Sequence, residues 1–168
     1  LKLNDIPNTV ASAVRAVAPL GIYMLTVHIN GGRAMMEAAA AAAADAAYEA
    51  VKARPLIVGV TVLTSFDDDD LAEVGVSNTL VDQVRRMAEL AKRSGLGGVV
   101  CSPREVAMLR SDLGDGFKLV TPGVRPEWAS VDDQKRFMTP LEAVSAGSDY
   151  LVIGRPITAA KDPPSAAA

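Results

Sequence analysis

Short apolar runs and longer amphipathic stretches alternate along the chain. In the first run, Leu1 and Leu3 alternate with Lys2 and Asn4, which is the two-residue period of a strand. Later runs are rich in β-branched residues and nearly continuous in hydrophobicity, as in strands that are buried on both faces of a parallel sheet. The predicted strands are Leu1–Leu3, Tyr23–Ile29, Leu56–Leu63, Gly98–Cys101, Phe117–Thr121 and Tyr150–Ile153.

The stretches between these runs carry helix signals. Gly32–Ala53 is rich in alanine, and Thr79–Ser94 is amphipathic and is followed by Gly95, a typical residue just after a helix end. The tetrapeptides SPRE at 102–105 and TPLE at 139–142 are capping boxes, each with a hydroxyl N-cap, a proline at the first helical position and a glutamate at the third. The alanine- and proline-rich segment from Lys161 onwards is predicted to fray.

Strict alternation of six β-α units predicts an α/β fold. No G-x-G-x-x-G motif follows the first strand, which weakens the case for a doubly wound dinucleotide-binding sheet. The chain has 168 residues, whereas a (β/α)8 barrel usually needs at least about 200. A barrel therefore requires two β-α units in addition to the six.

The composition and net charge of the chain limit the classes of partner that it is expected to bind. Hydrophobic residues make up 49% of the chain and charged residues 22%, which is typical of a globular domain. A net charge of −3 offers no basic face for nucleic acid, and no apolar run approaches the roughly 20 residues of a membrane span. Cys101 is the single cysteine, so an internal disulfide is excluded. These features predict a soluble cytoplasmic protein without nucleic-acid or membrane partners.

Two polar segments follow the last two predicted strands. The first contains Gly123, Arg125 and Gln134, and the second contains Gly154 and Arg155. In eight-stranded barrels a phosphate commonly binds at the loops after strands seven and eight. Glycine lets backbone N–H groups approach the phosphate, and arginine offers a two-pronged cationic donor. The alternative is that the arginines form salt bridges at the rim and the glycines only serve turns.

Lys2 and Asp5 also allow two interpretations. Asp5 could cap the next helix at a polar strand end. Alternatively, Lys2 points into the mouth of a barrel, where nearby carboxylates would maintain its charge and the ammonium could donate a proton to a carbanion.

Other polar residues are assigned mainly structural roles. His28 has no serine or cysteine partner at a recognisable spacing, so it is expected to be a structural hydrogen-bonding residue. Asp67–Asp70 is predicted to be a solvated loop before a short helix, and Cys101 to be inert packing. Thr64 either contacts a substrate ring or ends its strand.

Several motifs, in order, resemble one family over residues 1 to about 163. LKLNDIPNT resembles the D-x-K-x-x-D-I-P-x-T stretch of the orotidine 5'-phosphate decarboxylases. The segments VTVLTS, GVVCS, FKLVTPGVRP, DDQKR, MTP and VIGRPIT resemble later motifs of that family.

The resemblance implies a (β/α)8 barrel that forms a homodimer with shared active sites and uses neither a metal nor an organic cofactor. It implies that Lys2 protonates C6 of the pyrimidine of a small nucleotide substrate after carbon dioxide leaves. Asp5 and Thr9 match residues that the partner subunit contributes, and Thr64 matches a residue near the pyrimidine. The positions that match the family's phosphate-binding residues are Arg125, Gln134, Gly154 and Arg155.

The resemblance departs from the family pattern before Leu1. The first aspartate of the motif and the other lysine of the family's Lys-Asp-Lys-Asp network have no counterpart in the chain. Residues 1–168 are therefore expected to form a single partial barrel without the first two β-α units, and to show no turnover alone.

Two other functions share some of these features. A magnesium-dependent sugar-phosphate decarboxylase or aldolase of the same superfamily would explain Lys2, Asp5 and the phosphate loops, but explains DIPNT and TPGVRP less well. A non-catalytic module that binds a nucleotide phosphate would explain the loops alone.

Overall fold

The computed structural model describes residues 1–126 and 138–168, in which six strands alternate with helices and confirm the α/β prediction. The strands are β1 (Lys2–Leu3), β2 (Met24–His28), β3 (Leu56–Val60), β4 (Gly98–Val100), β5 (Lys118–Thr121) and β6 (Tyr150–Leu151). The helices are α1 (Pro7–Val17), α2 (Arg33–Ala50), α3 (Asp68–Glu73), α4 (Leu80–Arg93), α5 (Val106–Leu113), α6 (Pro140–Ser145), α7 (Arg155–Thr158) and α8 (Pro163–Ala167).

The order of the strands distinguishes between the two architectures. All five pairings are parallel, and the strands follow one another in chain order from β1 to β6. A doubly wound sheet reverses its strand order at a switch point, whereas a barrel adds each strand beside the previous one. The sheet therefore has barrel topology.

A contact between two tyrosines shows that the sheet is strongly curved. The hydroxyl oxygens of Tyr23, next to β2, and Tyr150, in β6, are 2.5 Å apart, and their ring centroids are 6.1 Å apart. In a flat sheet, four strand spacings would separate these strands by about 19 Å. Within the described residues β1 pairs only with β2 and β6 only with β5, so the curved sheet is an open part of a barrel.

The two faces of the sheet bury different side chains. The side chains of Leu25, Ile57 and Val99 lie on the outer face of the sheet, in a core that the sheet shares with the helices. Val58 and Val60 are also buried but face the concave side, called the lumen below, because strand neighbours alternate between faces. The lumen is therefore lined by apolar side chains below its polar rim.

The longest helix, α2, packs through small side chains. Its buried residues are Met35, Met36, Ala39, Ala40, Ala42, Ala43 and Ala46, and their small size allows α1 to pack closely against it. None of the helices in the described part of the chain combines the length and hydrophobicity needed to cross a bilayer.

The predicted helix boundaries are confirmed where capping residues defined them. The Thr79 hydroxyl accepts from the backbone N–H of Asp82 at the start of α4. Both capping boxes form: the Ser102 box begins a 3₁₀ turn that leads into α5, and the Thr139 box begins α6. Cys101 is buried, as predicted.

Two expectations about local structure were wrong. Residues 68–70 form the first turn of α3 instead of a loop, and Asp67 caps that helix reciprocally with Asp70. The positive end of the helix dipole favours carboxylates at this position. The segment after Lys161 forms the short exposed helix α8, because Asp162 accepts hydrogen bonds from Ser165.

Val51 ends α2 in a strained conformation. Its φ of 51° and ψ of 47° are left-handed, although its side chain is branched at Cβ and the residue is 92% exposed. Val51→Gly should therefore raise the free energy of unfolding by about 1 kcal/mol, since glycine adopts this conformation without a steric penalty. Val74→Gly is the matched control, because Val74 ends α3 at a φ of −91°. Chemical denaturation should show no gain for this control.

Asp149 joins three donors near the amino ends of β5 and β6. Its carboxylate accepts from Arg110 at 2.6 Å, from Lys118 at 2.8 Å and from the backbone N–H of Leu119 at 2.8 Å. Partial burial alone would raise the pKa of Asp149, but these hydrogen bonds outweigh it and hold the pKa below its usual value. The ionised carboxylate therefore stabilises the folded state.

Asp149→Asn should lower the free energy of unfolding at pH 7 by about 2 kcal/mol. Because the folded-state pKa is depressed, the contribution of Asp149 is present above its unfolded pKa of about 3.9 and is lost as the pH falls through the folded value. The difference between the two proteins should therefore shrink below about pH 4. Denaturation from pH 3 to 7 tests this, with Asp115→Asn as control, since the Asp115 side chain is fully exposed and 3.9 Å from Arg110. Equal losses in both variants would contradict the argument.

Candidate active site

The predicted site residues follow the carboxyl ends of parallel strands. Lys2 lies in β1, and Thr64, Arg125 and Arg155 each come four residues after the last residue of β3, β5 and β6. Because all the strands run in the same direction, these positions share one rim of the sheet. The sequence-based prediction that they lie on one rim is confirmed.

Lys2 and Thr64 line the same cavity. This cavity, called the Lys2 cavity below, has a volume of about 210 Å³, and its other lining residues are Val60, Val62, Leu63, Ser65, Val100, Cys101 and Pro122. One ammonium and two hydroxyl side chains thus meet an otherwise largely apolar wall. Such a cavity suits a flat polar ring, because apolar walls exclude water and a few polar groups orient the ligand.

The Lys2 ammonium makes no ion pair with the described part of the chain. The β1–β2 register places Lys2 opposite Thr26 and directs both into the lumen. Since an ammonium at an apolar wall is costly without a counter-charge, the cavity favours a ligand or segment that carries a carboxylate.

The neighbouring strand brings His28 to the same face. His28 follows Thr26 by two residues and therefore also faces the lumen. Burial lowers the pKa of the imidazole, and the positive charge of Lys2 lowers it further. His28 is therefore neutral at pH 7. The sequence alone predicted only a structural role for His28, although alternation along β2 is a signal that assigns His28 and Thr26 to one face.

Arg125 is a buried cation. It is 6% exposed, and its Nη1 donates to the carbonyl of Val124 at 3.2 Å. Among the described residues, its Nε has no hydrogen-bond partner. A bridge between Val124 and Met138 and a hydrogen bond from Arg125 N to Met138 O hold this part of the loop. A buried guanidinium of this kind favours an anionic ligand.

Gly154 and Arg155 lie at the start of α7. Gly154 is the N-cap and Arg155 the first helical residue, and both are exposed on the rim. Gly154 has open space around its Cα, so its backbone is accessible to a ligand. Gln134, the remaining predicted phosphate contact, lies outside the described residues.

Asp5 and Thr9 lie at the surface beyond β1. Asp5 accepts a hydrogen bond from the backbone N–H of Ile6 at 2.7 Å. The N-cap of α1 is Ile6, and no side chain makes a cap hydrogen bond there, so the prediction that Asp5 could cap this helix is wrong. The segment from Asp5 to Thr9 is exposed, and Ile6 alone is 67% exposed. Ile6 therefore presents apolar surface next to Asp5.

Comparison with known proteins identifies the family. A sequence model described as the orotidine 5'-phosphate decarboxylase / HUMPS family matches residues 1–168. A protein of Rhodospirillum rubrum named orotidine 5'-phosphate decarboxylase is 60% identical over 167 residues, which cover 99% of this chain and 68% of that relative. A protein of Saccharophagus degradans with the same name is 53% identical and is covered to 66% of its length, against 97% of this chain.

Solved structures agree with these relatives. The orotidine 5'-phosphate decarboxylase of Lactobacillus acidophilus superposes with a TM-score of 0.85 at 42% identity, covering 99% of this chain and 69% of that one. The enzyme of Pyrococcus horikoshii gives a TM-score of 0.67 at 27% identity, covering 99% of this chain and 68% of that one. The chain thus spans about two thirds of the length of the proteins that it matches. It has the (β/α)8-barrel type of fold, in six β-α units, and belongs to the orotidine 5'-phosphate decarboxylase / HUMPS family.

Proposed function

We propose that this chain supplies substrate-binding and proton-donating residues of an enzyme that decarboxylates orotidine 5'-phosphate to uridine 5'-phosphate (UMP) in pyrimidine nucleotide synthesis, without a metal or an organic cofactor. The main supporting observation is that Lys2 and Thr64 share a cavity on the rim where Arg125 and Arg155 also follow strand ends. This arrangement offers a cation for the reacting ring and further cations for a phosphate on the same face.

Lys2 is proposed as the proton donor. When the bond between C6 and the carboxyl carbon breaks, the electron pair stays on C6 and carbon dioxide departs. The Lys2 ammonium stabilises the negative charge that develops at C6 and then transfers a proton from Nζ to that carbon. The amine that remains regains a proton from solvent.

The phosphate is proposed to bind at the last two strand ends. Arg125 and Arg155 would supply charge-assisted hydrogen bonds, Gly154 a backbone that the phosphate can approach, and Gln134 an amide donor. Binding energy from this remote group can support closure over the reacting ring and exclude water from it.

A homodimer with shared active sites is part of the proposal. Its support is the exposed segment from Asp5 to Thr9, with Ile6 67% exposed, together with the Lys2 ammonium, which has no ion-pair partner among residues 1–126 and 138–168. Asp5 of one subunit would supply a carboxylate near the substrate of the other, and Thr9 a further contact. A cytoplasmic location is proposed from the single buried cysteine and the metabolic role.

Release of carbon dioxide from orotidine 5'-phosphate tests the function. The assay uses this chain alone and also a chimera, in which the chain is joined to the part of the Rhodospirillum rubrum relative that it does not cover. We expect no turnover from the 168-residue chain alone, and we expect the chimera to turn over equally well in EDTA and in magnesium. Turnover that requires magnesium, with a sugar phosphate as the better substrate, would contradict the proposal. Binding of UMP without any turnover by the chimera would instead identify a non-catalytic module.

A further inference from the structure

His28 lines a second cavity on the lumen rim, next to the Lys2 cavity. This cavity, called the His28 cavity below, has a volume of about 280 Å³, and its other polar lining residues are Asn4, Asn30, Thr61 and Gln83. Apolar residues of α3, α4 and the segments before them complete its wall. Val62 and Leu63 line both this cavity and the Lys2 cavity. The two spaces are therefore neighbours.

The strand register places His28 close to the Lys2 cavity. Lys2 pairs with Thr26 on β2, and His28 comes two residues later on the same face. On its other side His28 pairs with Val60, which lines the Lys2 cavity. The imidazole is thus flanked by the strand that carries the proton donor and by a residue of the donor's own cavity.

We propose that His28 is a positioning residue for Lys2: its ring forms the wall that separates the Lys2 cavity from the His28 cavity and keeps the lysine side chain directed at the substrate. This inference rests on the proposed function. Without the ring, the two spaces would join and the flexible lysine side chain could turn towards Asn4 and Asn30. A displacement of about 1 Å in a reacting group can lower the rate about 10²-fold.

The wall has to be uncharged. Lys2 is the one charged side chain that lines either cavity within the described residues, and the other titratable groups there are Cys101 and His28. A second cation beside Lys2 would repel the ammonium and disfavour its protonated form. The lowered pKa of His28, caused by burial and by Lys2, keeps the imidazole neutral at pH 7.

Steady-state kinetics of His28 variants in the chimera test whether the imidazole acts as this wall. We expect His28→Ala to lower kcat about 10²-fold with KM changed less than three-fold. His28→Phe, which restores a neutral ring, should recover kcat to within about five-fold of the parent, and His28→Arg should lose at least as much as the alanine variant. Equal losses in the alanine and phenylalanine variants, or a rise in KM without a fall in kcat, would overturn the proposal. Thermal melts confirm that each variant is folded.

A second measurement does not depend on activity. His28 is the only histidine in the chain, so its imidazole gives one NMR titration curve in the 168-residue protein. Lys2→Gln should raise the pKa of His28, whereas Lys161→Gln, in the exposed terminal segment, should leave it unchanged. If the pKa of His28 does not change in Lys2→Gln, the two side chains are not close to each other and the proposal is overturned. If the chimera fails to decarboxylate while Lys2→Gln raises the pKa of His28, the proposed function fails and the proximity of Lys2 and His28 stands.

Discussion

Lys2→Ala in the chimera is expected to lower kcat by about 10⁴-fold, because the variant loses both the proton donor and the positive charge beside the developing carbanion. The dissociation constant for UMP should change by less than about three-fold, since the product carries no charge at C6 for Lys2 to stabilise. Carbon dioxide release and calorimetric titration with UMP measure the two quantities separately.

Two further variants make this test specific. Lys2→Arg keeps the positive charge but replaces an acid with a group whose pKa exceeds about 12 and which rarely gives up a proton. We expect it to remain far below the parent in kcat, which would separate proton donation from charge alone. Lys161→Ala removes a lysine from the exposed terminal segment and should leave both quantities unchanged. A kcat in Lys2→Ala above a tenth of the parent value would exclude Lys2 as the proton donor.

The sequence could predict those parts of the fold that short-range signals determine. The capping boxes at Ser102 and Thr139 satisfy their own backbone groups within four residues, so they act in the same way in any fold. The six apolar runs correspond to the six strands. Continuous hydrophobicity predicts strands that are buried on both faces, such as β3, whereas alternation of apolar and polar residues predicts β1. The candidate site came from a resemblance over several motifs, and residue types alone left phosphate binding and rim salt bridges equally open.

The features of the structure that the sequence did not predict depend mainly on long-range contacts. The curvature of the sheet is visible in the contact between Tyr23 and Tyr150, which are 127 residues apart, and no local pattern encodes it. The position of His28 beside Lys2 follows from the pairing register, which is set by packing between strands. The acidic run at 67–70 was assigned to a loop on its charge, although those carboxylates stabilise a helix start.

Arg125 illustrates the tension between stability and ligand binding. Its side chain is buried, yet among the described residues its recorded hydrogen bond is to the neighbouring carbonyl of Val124, and Nε has no partner. Burying a charge without a counter-ion costs stability, and replacing such a group by an apolar one of similar volume is often neutral or stabilising. The stability of an Arg125 variant would therefore distinguish two roles. Loss of stability on substitution would indicate that Arg125 stabilises the fold, whereas unchanged or higher stability would indicate that it binds an anionic ligand.

Arg125→Met should accordingly leave the ligand-free 168-residue protein as stable as the parent, or more stable by about 1–3 kcal/mol. UMP at a hundred times its dissociation constant should stabilise the parent by about 2.7 kcal/mol, because it binds only the folded state. The variant should lose most of this gain, since the phosphate no longer meets the buried guanidinium. Chemical denaturation with and without UMP measures both effects.

Arg104→Met is the matched control, because it removes an exposed arginine that follows β4. This variant should keep the full gain in stability from UMP, which controls for a general loss of positive charge. The opposite result would be that Arg125→Met loses several kcal/mol of stability without ligand and still gains stability from UMP as the parent does. That result would show that Arg125 stabilises the fold and that the phosphate binds elsewhere.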